Sequence, residues 1–402
     1  MIANCKTFEM SSTAHLPLPS LPATAGAYFA ARLCLTYLFF QSAPQLGAVV
    51  SFVLNMLLLV FVAFYAFGSV PSNRLALLQI SCFRWVIAFL GFSLCSLFWS
   101  ETVSTSIAAA YWCGMAADVA LVLLLLRTGP IEDVASSLMK GYVAGACIIA
   151  SVMWLSPTMQ DLRPGNDEFF SPNAIAFTCA FGIFLAQVLD RRTKSLRLPA
   201  AFLAVSLLRS LSKTTIVALV LSELLLICLD TTIRRRSKML LAGATVAVVA
   251  VFWPLIAAYY EVYVNAGNQA ETLTGRVGIW GVVLERSLER PWFGHGFHSF
   301  RNVIPPFEDF EAWHAHNELL QQFYAYGVVG IVLLIGIYGS FYRHVRRAAR
   351  REYKTLFLSL ILFIVIRGLG DTERFDLSFP LWSIALLSLM LSAMEKPVEV
   401  TP

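Results

Sequence analysis

Apolar runs long enough to cross a lipid bilayer follow one another along almost the whole chain, punctuated by clusters of Lys and Arg. No other feature constrains the fold as much. In hydrocarbon every backbone N–H and C=O must find a partner, and a helix satisfies them within one segment. The composition agrees: of 402 residues 58% are hydrophobic and 14% charged, against ~25% charged in an ordinary soluble domain. The mean hydropathy of +0.69 excludes such a domain, so lipid is the main solvent.

A helix needs about 20 apolar residues to span a ~30 Å hydrocarbon core. On that measure the expected crossings lie near 27–40, 46–68, 77–99, 105–126, 138–156, 172–189, 198–210, 213–230, 238–260, 317–341, 355–370 and 377–394. The run Leu198–Asp230 is the least obvious, since as one helix it would be ~50 Å long. Arg191, Arg192, Lys194 and Arg197 precede it and Arg234, Arg235, Arg236 and Lys238 follow it. Positive clusters stay in the cytoplasm, so the run divides into two short passes meeting in an outer turn at Arg209–Lys213. A third inner cluster, Arg343 to Lys354, leaves both termini inside and the segment 261–316 outside. The fold class expected is all-α: a polytopic membrane protein with about twelve transmembrane helices and one large periplasmic loop. Residues 1–260 then hold a cytoplasmic tail and the first crossings, 261–316 the loop with an amphipathic helix, and 317–402 the last crossings and a tail.

The net charge of +5 follows this sidedness and anionic inner-leaflet lipid, not nucleic-acid binding. The N-terminal stretch through Pro22 is polar and Pro-rich and lacks the pattern of a cleavable signal. No outer loop offers a thiol pair, so no disulfide framework is expected. No repeat of period 20–50 and no likeness between halves is seen, which weighs against inverted-repeat transporters. Arg32, Arg84, Asp118 and Glu223 map to the inner halves of helices and read as snorkelling or paired structural charges, Arg84 with Asp118.

Chemistry concentrates in the outer loop. Four of the six histidines, His295, His298, His314 and His316, lie there with Arg276, Arg301, Glu308, Asp309 and Glu311. Thr274 can cap a helix running from Gly275 to just before Pro291, with Val277, Trp280, Leu284 and Leu288 at helical spacing. Arg276 sits in its first turn, where a cation opposes the helix dipole, so it serves something outside that helix. Gly294 and Gly296 allow close backbone approach. His316 and Asn317 open the next membrane helix, whose dipole favours a neutral imidazole competent as a general base. The alternative for His316 is an interfacial cap, and for the amphipathic helix a membrane anchor through Trp280 and Trp292. His314 and His316 with Glu311 or Asp309 invite a zinc reading, which the helix start and the lack of a nearby Cys disfavour. Arg209 and Lys213 occupy a turn between short passes, recessed below the membrane surface, where basic groups are functional by default. Arg367, with Gly368, Asp371 and Arg374 after it, faces the same cavity.

Three pieces occur in order: Ser212-Lys-Thr-Thr215, then Leu273-Thr-Gly-Arg-Val-Gly-Ile-Trp280 with Arg290-Pro-Trp-Phe-Gly-His-Gly296, then His316-Asn-Glu-Leu-Leu-Gln321 before Tyr326-Gly-Val-Val-Gly330. Together they resemble the O-antigen ligase and Wzy-type polymerase superfamily, most nearly its exopolysaccharide-polymerase branch. The resemblance implies a GT-C-like glycosyltransferase in the bacterial inner membrane, its active site facing the periplasm. It would move a glycan from an undecaprenyl-pyrophosphate-linked oligosaccharide donor to a hydroxyl acceptor, either another glycan repeat or lipid A core, inverting the anomeric centre with no metal or other cofactor. His316 matches the family's candidate base, Arg276 its loop arginine, and Lys213 a position usually held by arginine; that Lys is a departure, since ammonium gives no bidentate fork. Arg209, Arg367, Arg301, His314 and Asn317 are the further candidates for substrate binding. Membrane lipid and other polysaccharide assembly proteins are the expected partners. A transporter or flippase of the same lipid-linked glycan is the reading from another class; its cations would line a path through both leaflets, whereas these sit on one side.

Overall fold

The structure is a computed structural model that describes residues 20–40, 44–68, 80–156, 164, 170–193, 196–231, 234–240, 243, 250, 276–300, 314–372 and 378–395. Every regular element with defined ends is a helix: α1 (Leu21–Phe40), α2 (Pro44–Gly68), α3 (Ser81–Ser96), α4 (Thr105–Arg127), α5 (Ile131–Leu155), α6 (Pro172–Thr193), α7 (Arg197–Arg209), α8 (Lys213–Leu229), α9 (Arg276–Glu289), α10 (Glu318–Arg347), α11 (Arg351–Gly368) and α12 (Ser378–Glu395). Residues 235–240 are also helical. Among the described residues five helical segments are long and apolar enough to cross a membrane: Val49–Gly68, Thr105–Arg127, Ile131–Leu155, Pro172–Asp190 and Glu318–Arg347. The expected crossing 238–260 lies almost wholly outside the described residues, as do Arg301, Glu308, Asp309 and Glu311.

Burial divides the helices by position in the bundle. α6 and α12 are apolar all round and buried on most faces, as interior helices must be; Trp382 and Phe181 of these helices are each 1% exposed. Trp382 stacks on Phe29 of α1 at 4.7 Å, and Phe379 meets Phe181 edge-on at 4.4 Å. α2 instead turns Leu57, Phe61, Phe64 and Phe67 outward, an apolar face suited to lipid. α1 and α5 meet backbone to backbone, since a Cβ at Gly26, Gly141 or Gly145 would collide with carbonyls of the other helix. Small residues permit that approach where lipid supplies no hydrophobic drive for helix association. The buried acid Asp118 is paired with Arg32 rather than with the expected Arg84. Arg32 Nη1 donates to both carboxylate oxygens at 2.8 and 2.9 Å, and Asn55 adds a third bond at 3.1 Å. Arg84 is exposed. Glu223 accepts from Gln187 at 2.7 Å. Cys34, Cys82, Cys95, Cys113, Cys147, Cys179 and Cys228 are all free thiols.

The long run at 198–230 divides as its flanking charges require. α7 ends at Arg209 and α8 begins at Lys213, with Leu211 in the left-handed region (φ 55°) making the turn.

α10 departs most from expectation. Instead of one continuous crossing at 317–341 it breaks at Gly327, whose φ of 62° and ψ of −153° are non-helical. The groups freed at the break are paired by the segment 291–296: His295 N donates to Tyr324 O (3.0 Å), Gly296 N to Ala325 O (2.8 Å), Val328 N to Pro291 O (2.8 Å) and Val329 N to Trp292 O (3.3 Å). Gly294, with φ 64°, brings the chain so close that a Cβ there would lie 2.5 Å from the Ala325 backbone. A break in a helix needs such replacement partners. Residues 328–347 then rise ~30 Å by themselves, one hydrocarbon thickness.

Candidate active site

The turns α3–α4 and α7–α8 and the end of α11 lie together with residues 291–300 and 314–317 at one end of the bundle, and the site is built there. Its hub is the C-terminal turn of α11, residues 367–371. A helix end leaves carbonyls without intrahelical partners, and here side chains from two other elements reach them. Asn317 Nδ2 donates to Leu369 O at 3.0 Å, and Arg276 Nη1 donates to Gly370 O and, at 3.4 Å, to Thr214 Oγ1. The first residue of α9 is therefore directed beyond its own helix, as its placement against the dipole implied. Thr214 follows Lys213 directly and packs on Gly370, where a Cβ would lie 2.7 Å from Thr214 Cγ2. The α7–α8 turn, the start of α9 and the end of α11 thus converge. Ser212 joins α6 through Asn173 Oδ1 at 2.8 Å.

The histidines approach the hub from the other side. Asn317 is the N-cap of α10 and accepts from Leu320 N at 3.1 Å. Trp280 of α9 donates to Ala315 O at 2.9 Å, and Ala315 N donates to Gln321 Oε1 at 2.9 Å, so the backbone between the two histidines is held on both sides. His316 itself has φ 50°, a left-handed conformation uncommon for residues other than glycine and concentrated at functional sites. His316 Nδ1 lies 3.4 Å and His314 Nε2 3.5 Å from the same oxygen, Asp371 Oδ1, with the two rings 4.1 Å apart. Asp371 Oδ2 accepts from Arg367 Nη2 at 3.2 Å, and the Arg367 guanidinium lies 4.1 Å over the Phe177 ring. Burial alone would push the Asp371 carboxyl up, but Arg367 beside it and hydrogen bonds from His314 and His316 outweigh that and hold it well below the usual carboxylate range. The site therefore presents a fixed anion to two imidazoles.

The other sequence candidates separate. His295 and His298 do not join this group. His295 bonds Glu101 (Nδ1–Oε2, 2.8 Å) and Arg286 O (Nε2, 2.9 Å) and stacks on Tyr324, pinning the segment after α9 to the α3–α4 turn. His298 stacks on Tyr111 at 4.8 Å. Arg209 lies over Trp154 of α5 at 5.8 Å, while Lys213, one turn on, is exposed at the site end of α8. On α9 Ile279, Val283 and Ser287 are buried, while Val277, Leu284 and Leu288 of the expected apolar stripe are 45–61% exposed. The helix is apolar on two faces, and packing against α10 claims the other one.

Sequence reading did not place Asp371 among the site residues. Its signal was its position four residues after Arg367, the spacing of a helical ion pair. His314, His316 and Asp371 offer donor atoms within 4.8 Å of one another and are the described trio able to hold a metal ion. Arg367 on the second carboxylate oxygen works against a cation there, because the site already carries the positive charge that balances Asp371.

These features define a multi-pass membrane protein with a cationic, histidine-bearing site at one end of its helical bundle. Residues 198–335, from α7 to the second half of α10, match the family described as O-Antigen ligase. The chain is also 27% identical over 280 residues to the exopolysaccharide production protein ExoQ of Rhizobium meliloti (strain 1021), across 63% of this chain and 62% of that protein's length. The chain thus resembles the O-antigen ligase family over part of its length, and it spans less than two thirds of the exopolysaccharide production protein it matches. Lys213, Arg276, His314 and His316 lie within the family segment; Arg367 and Asp371 lie beyond it.

Proposed function

We propose that this protein is a glycosyltransferase that moves a glycan from an undecaprenyl-pyrophosphate donor to a hydroxyl acceptor, at the periplasmic face of the bacterial inner membrane, and that it polymerises exopolysaccharide repeat units. The observation that carries the reading is the contact of His316 with buried, ionised Asp371, beside Arg276 and the Lys213 helix start. In this reading the Nδ1–H of His316 faces Asp371, which leaves Nε2 as the basic nitrogen. Nε2 takes the proton of the acceptor hydroxyl as that oxygen attacks the anomeric carbon, and pyrophosphate departs on the opposite face with inversion. Pyrophosphate is already a good leaving group, so the developing charge mainly needs cations. Lys213 and Arg276 supply them, while Arg367 is engaged with Asp371. Proton removal by a positioned base contributes ~10²–10⁴-fold, and no metal enters the scheme.

The sidedness proposed follows charge. The bundle end opposite the site carries Arg127, Arg197, Arg234 and the cluster Arg343–Arg351, and such clusters remain in the cytoplasm. Residues 261–316 are then the periplasmic loop. The test is transfer from a synthetic polyprenyl-pyrophosphate oligosaccharide by the purified protein. Chain growth that is lost in His316→Ala is expected, and growth without donor pyrophosphate release overturns the proposal. A ligase joining finished polymer to lipid A core uses the same chemistry and differs in acceptor. Deletion separates the two: loss of polymer with intact lipopolysaccharide marks a polymerase, and polymer chains unable to reach lipid A mark a ligase.

A further inference from the structure

Two residues of α10 that a continuous helix would hold far apart are in contact. Tyr338 Oη donates to Glu318 Oε1 at 2.6 Å. Twenty residues of straight helix rise ~30 Å, whereas the two side chains and one hydrogen bond span on the order of 13 Å. With the break at Gly327 as apex, the two halves must meet at an angle of no more than roughly 50–60°. The segment Glu318–Tyr326 is therefore folded back beside the crossing half of its own helix. It is this folded-back segment that carries His316 and Asn317 at its start.

Glu318 holds the fold on two sides. It is 7% exposed, and a buried carboxyl group needs hydrogen-bond partners; Tyr338 supplies one at 2.6 Å. Its other oxygen, Oε2, packs on Gly368, where a Cβ would lie 2.8 Å away. Gly368 belongs to the same turn that carries Arg367 and Asp371. A single side chain thus ties the start of the His316 helix to the crossing half of α10 and to the turn that bears its carboxylate partner. We infer that Glu318 is a positioning residue for His316, acting with Tyr338 as a latch across the Gly327 break. The inference rests on the reading of His316 as the base. Glu318 touches no substrate in this scheme; it keeps the imidazole within reach of Asp371, and small misplacements of a catalytic group reduce rate steeply.

The test uses the full-length protein in detergent or nanodiscs. Tyr338→Phe, which removes one hydroxyl, is expected to lower kcat about tenfold or more, with donor KM within about twofold. Glu318→Ala should do the same, whereas Glu318→Gln, whose amide oxygen still accepts from Tyr338, should keep kcat within about threefold. Wild-type kcat in Tyr338→Phe overturns the latch, and so does equal loss in Glu318→Gln and Glu318→Ala. If Glu318→Ala does not fold, Tyr338→Phe decides. A second arm needs no activity. Spin labels at the exposed positions Leu319 and Ile335 should lie on the order of 10–15 Å apart, against ~24 Å in a straight helix. A distance near the straight-helix value overturns the inference directly. Full turnover by His316→Ala instead overturns the functional reading, and the label distance still reports on the latch.

Discussion

Replacing Asp371 by Asn keeps the size of the side chain and removes the charge that both histidines face. Asp371 Oδ1 lies 3.4 Å from His316 Nδ1, and Oδ2 lies 3.2 Å from Arg367. A hydrogen bond to an ionised group contributes ~1.5–3 kcal/mol net, a factor of roughly 10–10² in rate. An amide can also present N–H to the ring and reverse its tautomer, which in a related constellation reduces turnover ~10⁴-fold. The expected kcat is therefore ~10²-fold lower or worse, with donor KM little changed because Lys213 and Arg276 are untouched. The pH dependence has a definite sign. A carboxyl held below its unfolded value of ~3.9 contributes stability that is fully present above that pH and is lost only as pH falls through the depressed folded value. Between pH 5 and 8 Asp371 stays ionised and adds no limb of its own to the pH dependence. Arg367 is 6% exposed, and breaking a buried ion pair from one side costs ~3–5 kcal/mol of stability. Adding Arg367→Gln to Asp371→Asn should recover stability without recovering kcat. The assay is transfer from synthetic donor per folded protein, across pH. Turnover by Asp371→Asn within threefold of wild type refutes the dyad.

The remaining expectations concern the neighbours. His316→Ala should abolish transfer at normal membrane level and His314→Ala should cost less; equal losses restored by zinc or mimicked by a chelator would favour a metal on the His314–His316–Asp371 trio. Lys213→Ala should fail in the same assay while Lys213→Arg retains activity and Arg276→Lys is damaged, since Nη1 of Arg276 is spent on Gly370 O and Thr214 Oγ1 and only a guanidinium has a second terminal nitrogen left for phosphate; near-normal turnover by Lys213→Ala removes Lys213 from the site. Arg209→Ala should cost less than Lys213→Ala, because Arg209 lies against Trp154. For topology, a cysteine placed at Glu308 should react with impermeant reagent in intact spheroplasts; labelling only after the membrane is breached rejects the sidedness and the enzyme reading with it.

Much of the fold was legible because lipid makes length and charge informative. The division of 198–230 into α7 and α8 followed from a rise too long for one bilayer and basic flanks at both ends. The same logic failed inside α10. Hydropathy averages over a window and registers 318–347 as one apolar span; it cannot register that Gly327 turns the chain back on itself. The sign was present in the Tyr-Gly-Val-Val-Gly run, but a glycine in a membrane helix is common and only the pairing of 291–296 with 324–329 converts it into a break. The pairing of Asp118 was misassigned for a similar reason, since the register between α1 and α4 decides that Arg32, not Arg84, reaches it.

The site shows why functional residues can be named from sequence before their relations can. Motif order marked His316, Arg276 and Lys213, each at a helix terminus, but it left open what holds them together. The answer lies in the turn after α11, where free carbonyls at 369 and 370 bind Asn317 and Arg276, and where Asp371 gathers two imidazoles and a guanidinium. A helix C-terminus attracts cations through its dipole, so the end of α11 draws Arg276 toward the site as backbone physics alone would. One residue past Gly370 the buried Asp371 carboxylate balances the Arg367 guanidinium, and the same carboxylate is the one that His316 faces. Charge compensation and base orientation then rest on a single residue, Asp371, so a change that abolishes its charge should disturb stability and chemistry together, whereas a change at Lys213, exposed at the site end of α8, should disturb chemistry alone.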